Sequence, residues 1–138
     1  MKKLYLFILI ATLPLITKAQ TDRWKLLYSD TTKKEKTYID TFRITKLSYL
    51  DGHTHLLVIW LRTLSNPTQQ GEYVQQADTK VVVDVPNSQL EYKSVLVKYN
   101  DKVTSQKQYD EMQWTDIFPE TNEEILLNYC SNFLKSNN

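Results

Sequence analysis

The chain has 138 residues, a formal charge of +1 at pH 7, two glycines and one cysteine. Two distant glycines cannot form the glycine-rich loop that holds a phosphate, and one cysteine can form neither an internal disulfide nor a metal site of four thiolates. The small net charge and the lack of a long basic run argue against a dedicated nucleic-acid-binding protein.

The N-terminal segment has the pattern of a secretory signal peptide. Two lysines precede a largely apolar run of 13 residues, and small residues stand at the two positions that a signal peptidase reads. The run is too short for a comfortable membrane span. We therefore expect residues 1–19 to be removed, which leaves residues 20–138 as a single exported domain without an integral membrane segment. This domain would be periplasmic, on the cell surface or secreted, with a formal charge of −2.

The composition of residues 20–138 favours strands over helices. Alanine occurs once, at Ala77, whereas valine, isoleucine and threonine are frequent, and such β-branched residues suit a pleated sheet. Alternating patterns and turn signals predict strands at residues 24–28, 37–42, 44–49, 53–63, 74–85, 90–99 and 103–109, with a short apolar stretch at 114–118.

The middle of the chain predicts a hairpin next to a central strand. Asp51-Gly52 is a strong turn signal, because both central residues of a type I′ turn need positive φ, and it would join residues 44–50 to 53–63. Residues 56–61 are six consecutive apolar residues, Leu-Leu-Val-Ile-Trp-Leu. A run without alternation indicates a strand that is covered on both faces.

Residues 121–135 form the one convincing amphipathic helix. Thr121 can cap its start, and Glu124 completes a capping box. Its apolar face, read from helical spacing, consists of Ile125, Leu126, Tyr129, Cys130, Phe133 and Leu134. The predicted fold class is therefore α+β: a curled antiparallel sheet of about six strands with one C-terminal α-helix packed on it.

Histidine and cysteine are the residue types that could carry chemistry. His53 and His55 are two apart on a predicted strand, so both imidazoles could reach one metal ion, with Asp51 close by. A metal site needs a third and usually a fourth ligand with supporting partners, and the spacing of two histidines alone is weak evidence. Polar residues after a turn are usually solvated. Cys130 could act as a nucleophile beside a histidine or pair with another chain, but its place on the apolar helix face favours burial.

Charged and aromatic groups have simple structural interpretations. Residues 33–36, Lys-Lys-Glu-Lys, could contact an anionic partner such as a sulfated glycan, although a solvated loop is the favoured interpretation. Carboxylates at 110–111 and 120–124 could serve acid–base chemistry, but helix capping explains the second group and nothing places the first near a cleft. Aromatic residues form core and cross-strand pairs more often than a binding face. We assign no catalytic, cofactor-binding or metal-binding residue and predict that the protein is not an enzyme.

Several short motifs follow one another in a fixed order along residues 24–134. They are Trp24, Thr37-Tyr38-Ile39-Asp40, an apolar strand at 58–61, Lys80-Val81-Val82-Val83, the strand at 90–99, Trp114 with Ile117 and Pro119, and a helix ending Ile125-Leu126-Leu127-Asn128-Tyr129-Cys130. In this order they resemble the surface-adhesin protein E family of secreted bacterial proteins. The family often pairs the helix cysteine with a second cysteine on the middle strand, where this chain has Val-Asp-Val at 83–85. The helix would then be held by packing alone.

The resemblance implies a compact antiparallel sheet with a C-terminal helix and no enzymatic activity. Characterised members of the family bind host extracellular-matrix and serum proteins. Our leading hypothesis is therefore an exported, non-catalytic binding or adhesion domain that contacts proteins or glycans. The alternative is a periplasmic protein that binds a small apolar ligand between helix and sheet. A hydrolase that uses His53 or His55 is a third class, which the residues do not favour.

The apolar run at 56–61 also bears on assembly. One helix covers only one face of a sheet, so three side chains of the run would point away from the helix. If exposed, they would form an apolar patch of the size that marks interaction sites. We therefore predict a homodimer through sheet faces or edges around this strand.

Overall fold

The computed structural model describes residues 23–50, 52–111 and 113–137. These residues form one antiparallel sheet of eight strands and a C-terminal helix, which confirms the α+β fold class. The elements are β1 (Trp24–Asp30), β2 (Glu35–Asp40), β3 (Thr45–Leu50), β4 (His53–Pro67), β5 (Tyr73–Asp84), β6 (Gln89–Tyr99), β7 (Lys102–Gln108), β8 (Thr115–Asp116) and α1 (Asn122–Ser136). The predicted signal peptide, residues 1–19, lies outside the described residues. Within them, no helix has the length and apolar character needed to span a membrane.

The sheet is open, and β1 and β7 form the two ends of its main path. The strand order is β1-β2-β4-β5-β6-β7, with β3 also paired to β4 and β8 to β6. Every pair is antiparallel. All seven segments predicted as strands are present, and the apolar stretch at 114–118 adds the two-residue strand β8, so the described residues hold eight strands where the predicted fold class gives about six.

β4 is the central strand of the sheet, as the apolar run at 56–61 predicts. One edge of β4 pairs with β5 along most of its length. The opposite edge is shared, because β2 pairs with residues 61–64 and β3 pairs with residues 53–58. The strand with the most apolar sequence thus makes the most strand contacts.

The predicted hairpin between β3 and β4 is present. Leu50 pairs with His53 across a two-residue turn, and Gly52 adopts a φ of +82° there. A positive φ costs a glycine nothing because it has no Cβ, which explains the glycine at this position. Asp51, the other turn residue, lies outside the described residues.

The two faces of the sheet are covered differently, because successive side chains of a strand alternate in direction. On the face toward α1, the helix face, Leu57 and Ile59 are fully buried in a core that includes Leu126. On the opposite face, the far face, Leu56 is fully buried and Trp60 is half-buried. The predicted coverage of both faces is complete at Leu56 and partial at Trp60.

Thr121 caps the start of α1 as the sequence predicts, but the Glu124 carboxylate bonds to the residue before the cap and not to the cap residue itself. The Thr121 hydroxyl accepts a hydrogen bond from the backbone N–H of Glu124 at 3.4 Å. The carboxylate of Glu124 accepts from the backbone N–H of Glu120 at 2.8 Å, one residue before the cap. Two backbone N–H groups near the helix start are therefore satisfied by side chains.

Leu126 is expected to anchor α1 to the sheet, since it is 3% exposed and belongs to the core. Leu126→Ala should lower the free energy of unfolding by about 2–5 kcal/mol, through lost burial and the cavity left behind. Ile125→Ala, at a neighbouring position that is 41% exposed, is the matched control and should cost less than about 1 kcal/mol. Chemical denaturation followed by circular dichroism measures both losses, and equal losses would contradict this orientation of the helix.

Candidate functional site

The two histidines considered as metal ligands have separate partners in the structure. His53 pairs with Asp84 and stacks on Trp114, with ring centroids 4.1 Å apart and ring planes at 23°. His55 is exposed with a φ of +59°, and its Nδ1 lies 3.1 Å from the hydroxyl of Thr54. In the part of the chain that the structure describes, no group of three or more His, Cys, Asp or Glu is placed to hold a metal ion.

Asp84 is a fully buried carboxylate that holds two turns together. It accepts hydrogen bonds from His53 and from the backbone and side-chain nitrogens of Asn87, the latter at 3.1 and 2.8 Å. Burial alone would raise its pKa, but the Asn87 side chain and His53 stabilise the charged form, so the pKa lies below its usual value. The pair fixes the β3–β4 turn against the β5–β6 turn, which is a structural role for the histidine.

Cys130 lies in the core, where it is 1% exposed. Desolvation raises the pKa of its thiol to about 12. At neutral pH the side chain is therefore a thiol and not the thiolate that acts as a nucleophile. Its role is to pack α1 against the sheet, in agreement with its position on the apolar helix face.

The basic residues at 33–36 are divided between a turn and a strand. Lys33 and Lys34 are exposed in the β1–β2 turn, where the backbone N–H of Lys33 donates to the carboxylate of Asp30 at 3.0 Å. Lys36 belongs to β2, and its ammonium lies 5.9 Å from the centroid of the Tyr73 ring. The exposed part of the predicted cluster is therefore a pair of solvated lysines.

A different cationic group crosses the far face of the sheet. All three arginines of the chain contact two of its three tryptophans there. We call this group the tryptophan–arginine surface; it consists of Arg23, Trp24, Asp40, Arg43, Trp60, Arg62, Asp78 and Lys80.

Strand register brings these residues together from four strands. Trp24 of β1 lies opposite Asp40 of β2, and Trp60 of β4 lies opposite Lys80 of β5. Arg62 follows Trp60 by two residues, so both side chains are on the same face of β4. Alternation within strands and pairing between them therefore place indoles and charged groups side by side.

Trp24 forms one half of the surface. The Arg62 guanidinium lies 4.1 Å from the Trp24 ring centroid, and that of Arg23 lies 5.8 Å from it. Arg62 also donates two hydrogen bonds to Asp78, from Nε at 2.7 Å and from Nη2 at 3.0 Å. This bidentate pairing fixes the plane of the guanidinium over the indole.

Trp60 forms the other half. The Arg43 guanidinium lies 4.8 Å from its ring centroid, and the Lys80 ammonium lies 5.9 Å from it. Cations at such distances are attracted by the quadrupole of the ring. The half-buried indole is therefore covered by the long side chains of two cationic residues, with no contribution from α1.

Asp40 joins the two halves, although it is fully buried. Its carboxylate accepts hydrogen bonds from Nη2 of Arg23 at 2.7 Å, from Nε of Arg43 at 2.6 Å and from the backbone N–H of Phe42 at 3.1 Å. Burial alone would raise its pKa, but the bonds from Arg23 and Arg43 outweigh this effect, and the pKa lies below its usual value. One ionised carboxylate thus orients two guanidinium groups.

The surface keeps an excess of positive charge. Asp40 is shared by two arginines, and among the described residues Lys80 contacts an indole but no carboxylate. The side chains of Arg23, Arg43 and Arg62 are 35%, 45% and 28% exposed, so part of each remains accessible. Oriented guanidinium groups beside flat rings can bind carboxylate or sulfate groups through paired N–H donors.

Sequence reasoning missed this surface because it treated the aromatic residues as core and cross-strand pairs. A weak signal was available. The chain has three arginines among 17 basic residues, and two of them, Arg23 and Arg62, lie within two positions of a tryptophan. Arginine used this sparingly and next to indoles indicates a specific contact, since lysine supplies charge elsewhere in the chain.

A cleft lies on the helix face, where α1 begins. β7 pairs with residues 94–99 of β6 and β8 pairs with residues 89–90, so residues 91–93 lie outside both ladders. Beside this gap is a cleft of about 280 Å³, which we call the helix-start cleft. Its walls include Leu90, Tyr92, Asp116, Ile117, Phe118 and Glu123. It lies between helix and sheet, where the sequence-based alternative places a ligand.

Asp40→Asn is expected to show how far the structure depends on this carboxylate. The variant should lose roughly 3 kcal/mol of unfolding free energy at pH 7, because two arginines lose their buried partner. Since the folded-state pKa lies below the usual value near 3.9, ionised Asp40 stabilises the fold fully above about pH 5, and this stabilisation declines as pH falls.

The acid dependence of stability separates Asp40 from other carboxylates. Denaturation of the wild type and Asp40→Asn at several pH values below about 5 should give a shallower loss in the variant, because the amide does not titrate. Asp101→Asn, in the exposed β6–β7 turn, is the matched control and should follow the wild type. If Asp40→Asn lost unfolding free energy with falling pH as steeply as the wild type does, the stabilising role of ionised Asp40 would be contradicted.

Comparison with known proteins gives no relative of the chain: no family model, no curated protein and no solved structure matches it. Membership in the protein E family, which the sequence motifs predict, therefore stays a prediction.

Proposed function

We propose that the chain is an exported, non-catalytic binding domain whose tryptophan–arginine surface contacts an anionic polysaccharide. The observation that carries the proposal is the arrangement of all three arginines around two indoles. The planar fork of arginine matches carboxylate and sulfate groups, and an indole offers a flat apolar surface to a sugar ring. The resemblance to secreted adhesins supports the same kind of role.

The distance between the indoles suits a chain of sugars. Trp24 lies on β1 and Trp60 lies on β4, with β2 between them. Because neighbouring strands lie about 4.8 Å apart, the two indoles are separated by about 10 Å across the sheet. This is comparable with the length of one disaccharide. A linear glycan could place successive repeats on the two rings and its acidic groups on the guanidinium groups.

The partners implied by the resemblance, extracellular-matrix and serum proteins, remain the competing class. An acidic protein segment could also contact the guanidinium groups. Two indoles about 10 Å apart, each with cations on its ring, favour a linear polymer over a single protein epitope. A binding experiment with both classes decides between them.

Surface plasmon resonance with immobilised heparin tests the proposal directly. Residues 20–138 should bind at micromolar concentrations, and added salt should weaken binding. Arg43→Ala should weaken binding about tenfold, because the most exposed of the three guanidinium groups is lost. Arg62→Lys should also weaken it, since an ammonium keeps the charge but cannot form the bidentate pair with Asp78.

The control removes two positive charges elsewhere, one more than Arg43→Ala removes. Lys33→Ala combined with Lys34→Ala deletes two exposed cations of the β1–β2 turn and should leave heparin binding within about twofold. Loss of binding in this double variant, with retention in Arg43→Ala, would place the contact on the turn. Binding to laminin or vitronectin without binding to heparin would assign a protein partner. No binding to any of them at tens of micromolar would remove the adhesion proposal.

A second candidate function is the binding of a small ligand in the helix-start cleft. The observation that favours it is a cleft of about 280 Å³ with Leu90, Ile117 and Phe118 in its walls, of which Phe118 is 65% exposed. A large exposed aromatic side chain beside a concave surface is typical of a ligand site. Native mass spectrometry of protein purified from its source would show a co-purifying ligand.

The homodimer predicted from the apolar run stays a prediction. Leu56 is fully buried and the Trp60 ring is covered by Arg43 and Lys80, so the far face exposes less apolar surface than the sequence indicates. A dimer would therefore use the polar part of this face or a sheet edge. Sedimentation equilibrium of residues 20–138 at micromolar concentration distinguishes monomer from dimer.

A further inference from the structure

We propose that the helix-start cleft binds an amphipathic amine, a small molecule with an apolar body and a protonated amino group. This inference rests on the second candidate function, the binding of a small ligand in this cleft, and it names the chemical class of that ligand. It is independent of the tryptophan–arginine surface, which lies on the opposite face of the sheet.

A second, larger cavity adjoins the cleft. The neighbouring cavity has a volume of about 470 Å³, and Tyr92 and Thr115 line both. Together they follow the gap that β7 and β8 leave along β6. The combined space is sufficient for a small organic molecule that extends from the start of α1 toward Tyr109.

Tyrosine rings line this space, because Tyr92 borders both cavities and Tyr109 borders the larger one. Burial raises the pKa values of Tyr28 and Tyr92, and the nearby charge of Glu123 raises both further. Tyr92 is therefore uncharged at neutral pH and offers a neutral ring face next to a negative charge.

The charges around the space favour a cation. Glu123 and Asp116 line the smaller cavity, and Asp110 and Glu111 line the larger one, against the single cation Lys107. Asp116 accepts a hydrogen bond from the Gln89 side chain at 2.8 Å. By contrast, Glu123 has no hydrogen-bond or ion-pair partner in the described parts of the chain, so its carboxylate is free to pair with an ammonium group.

Lys107 already places its ammonium group over the Tyr109 ring in the larger cavity. The Lys107 ammonium lies 4.5 Å from the centroid of the Tyr109 ring. This distance is that of a favourable cation–π contact, and it shows that the tyrosines of this space accept an ammonium group. A ligand could place its own ammonium in the same way on Tyr92, beside Glu123, with its apolar body against Leu90 and Phe118.

The position of Glu123 in the first turn of α1 has a competing explanation, since acidic residues there interact favourably with the helix dipole. That effect alone would give the carboxylate no preference for a bound amine. A comparison of ligands that share one body and differ in charge therefore separates a binding role from a purely structural one.

The test uses three probes of similar size: 2-phenylethylamine, 2-phenylethanol and 3-phenylpropionate. Their binding to residues 20–138 is measured from amide chemical-shift changes in ¹H–¹⁵N spectra up to millimolar concentrations. The amine should bind about tenfold more tightly than the alcohol and should shift the amides of residues 115–123, whereas the acid should bind least. Glu123→Gln should abolish the difference between amine and alcohol, and Glu72→Gln, in the exposed β4–β5 loop, should leave it unchanged.

Two further outcomes separate this inference from the function on which it rests. Equal binding of amine and alcohol in the cleft would refute the preference for an amine and would leave the small-ligand function standing. The absence of binding by all three probes would contradict both. Tyr92→Ala should weaken the amine and the alcohol together, and unchanged binding in that variant would place the ligand elsewhere.

Discussion

The buried carboxylate of Asp40 needs positively charged partners, and the arrangement of the far face of the sheet depends on this need. An ionised carboxylate out of contact with water is costly unless it is paired and fully hydrogen-bonded. Asp40 is fully buried, and it meets this requirement with Arg23, just before β1, and Arg43, in the turn after β2. The start of β1, the end of β2 and the turn to β3 are therefore fixed at one point.

This requirement also holds the tryptophan–arginine surface in the arrangement that the proposed binding needs. Guanidinium groups that are held by carboxylates and stacked on indoles lose little freedom when an anion arrives, and lower ordering costs favour affinity. The same side chains shield Trp60, the half-buried member of the apolar run, through their aliphatic stems. The residues that cover the indole are thus the same residues that we propose to contact a ligand, and they explain why a strand with an apolar sequence carries a charged surface on one face.

Local signals account for the part of the fold that the sequence could predict. The hairpin turn at Gly52, the Thr121 cap of α1 and the six apolar residues of β4 each depend on neighbours a few positions apart. The candidate sites depend on distant residues. Arg23 and Asp40 are 17 positions apart and His53 and Asp84 are 31 apart, so no periodic pattern connects them. The helix-start cleft arises because β7 and β8 pair with separate parts of β6, which is a matter of register and not of composition.

In this structure the three arginines are held in place on the indoles without any ligand, and their side-chain Nε–H groups report this directly. Because the chain has only three arginines, a ¹H–¹⁵N spectrum of the Nε–H region should contain three assignable signals. Hydrogen bonds to Asp40 and Asp78 predict Nε–H signals that are displaced from the position of free arginine and protected from exchange with water, and Asp40→Asn should remove this displacement for Arg23 and Arg43. Three overlapping signals at the position of free arginine, exchanging rapidly in the wild type, would contradict the account.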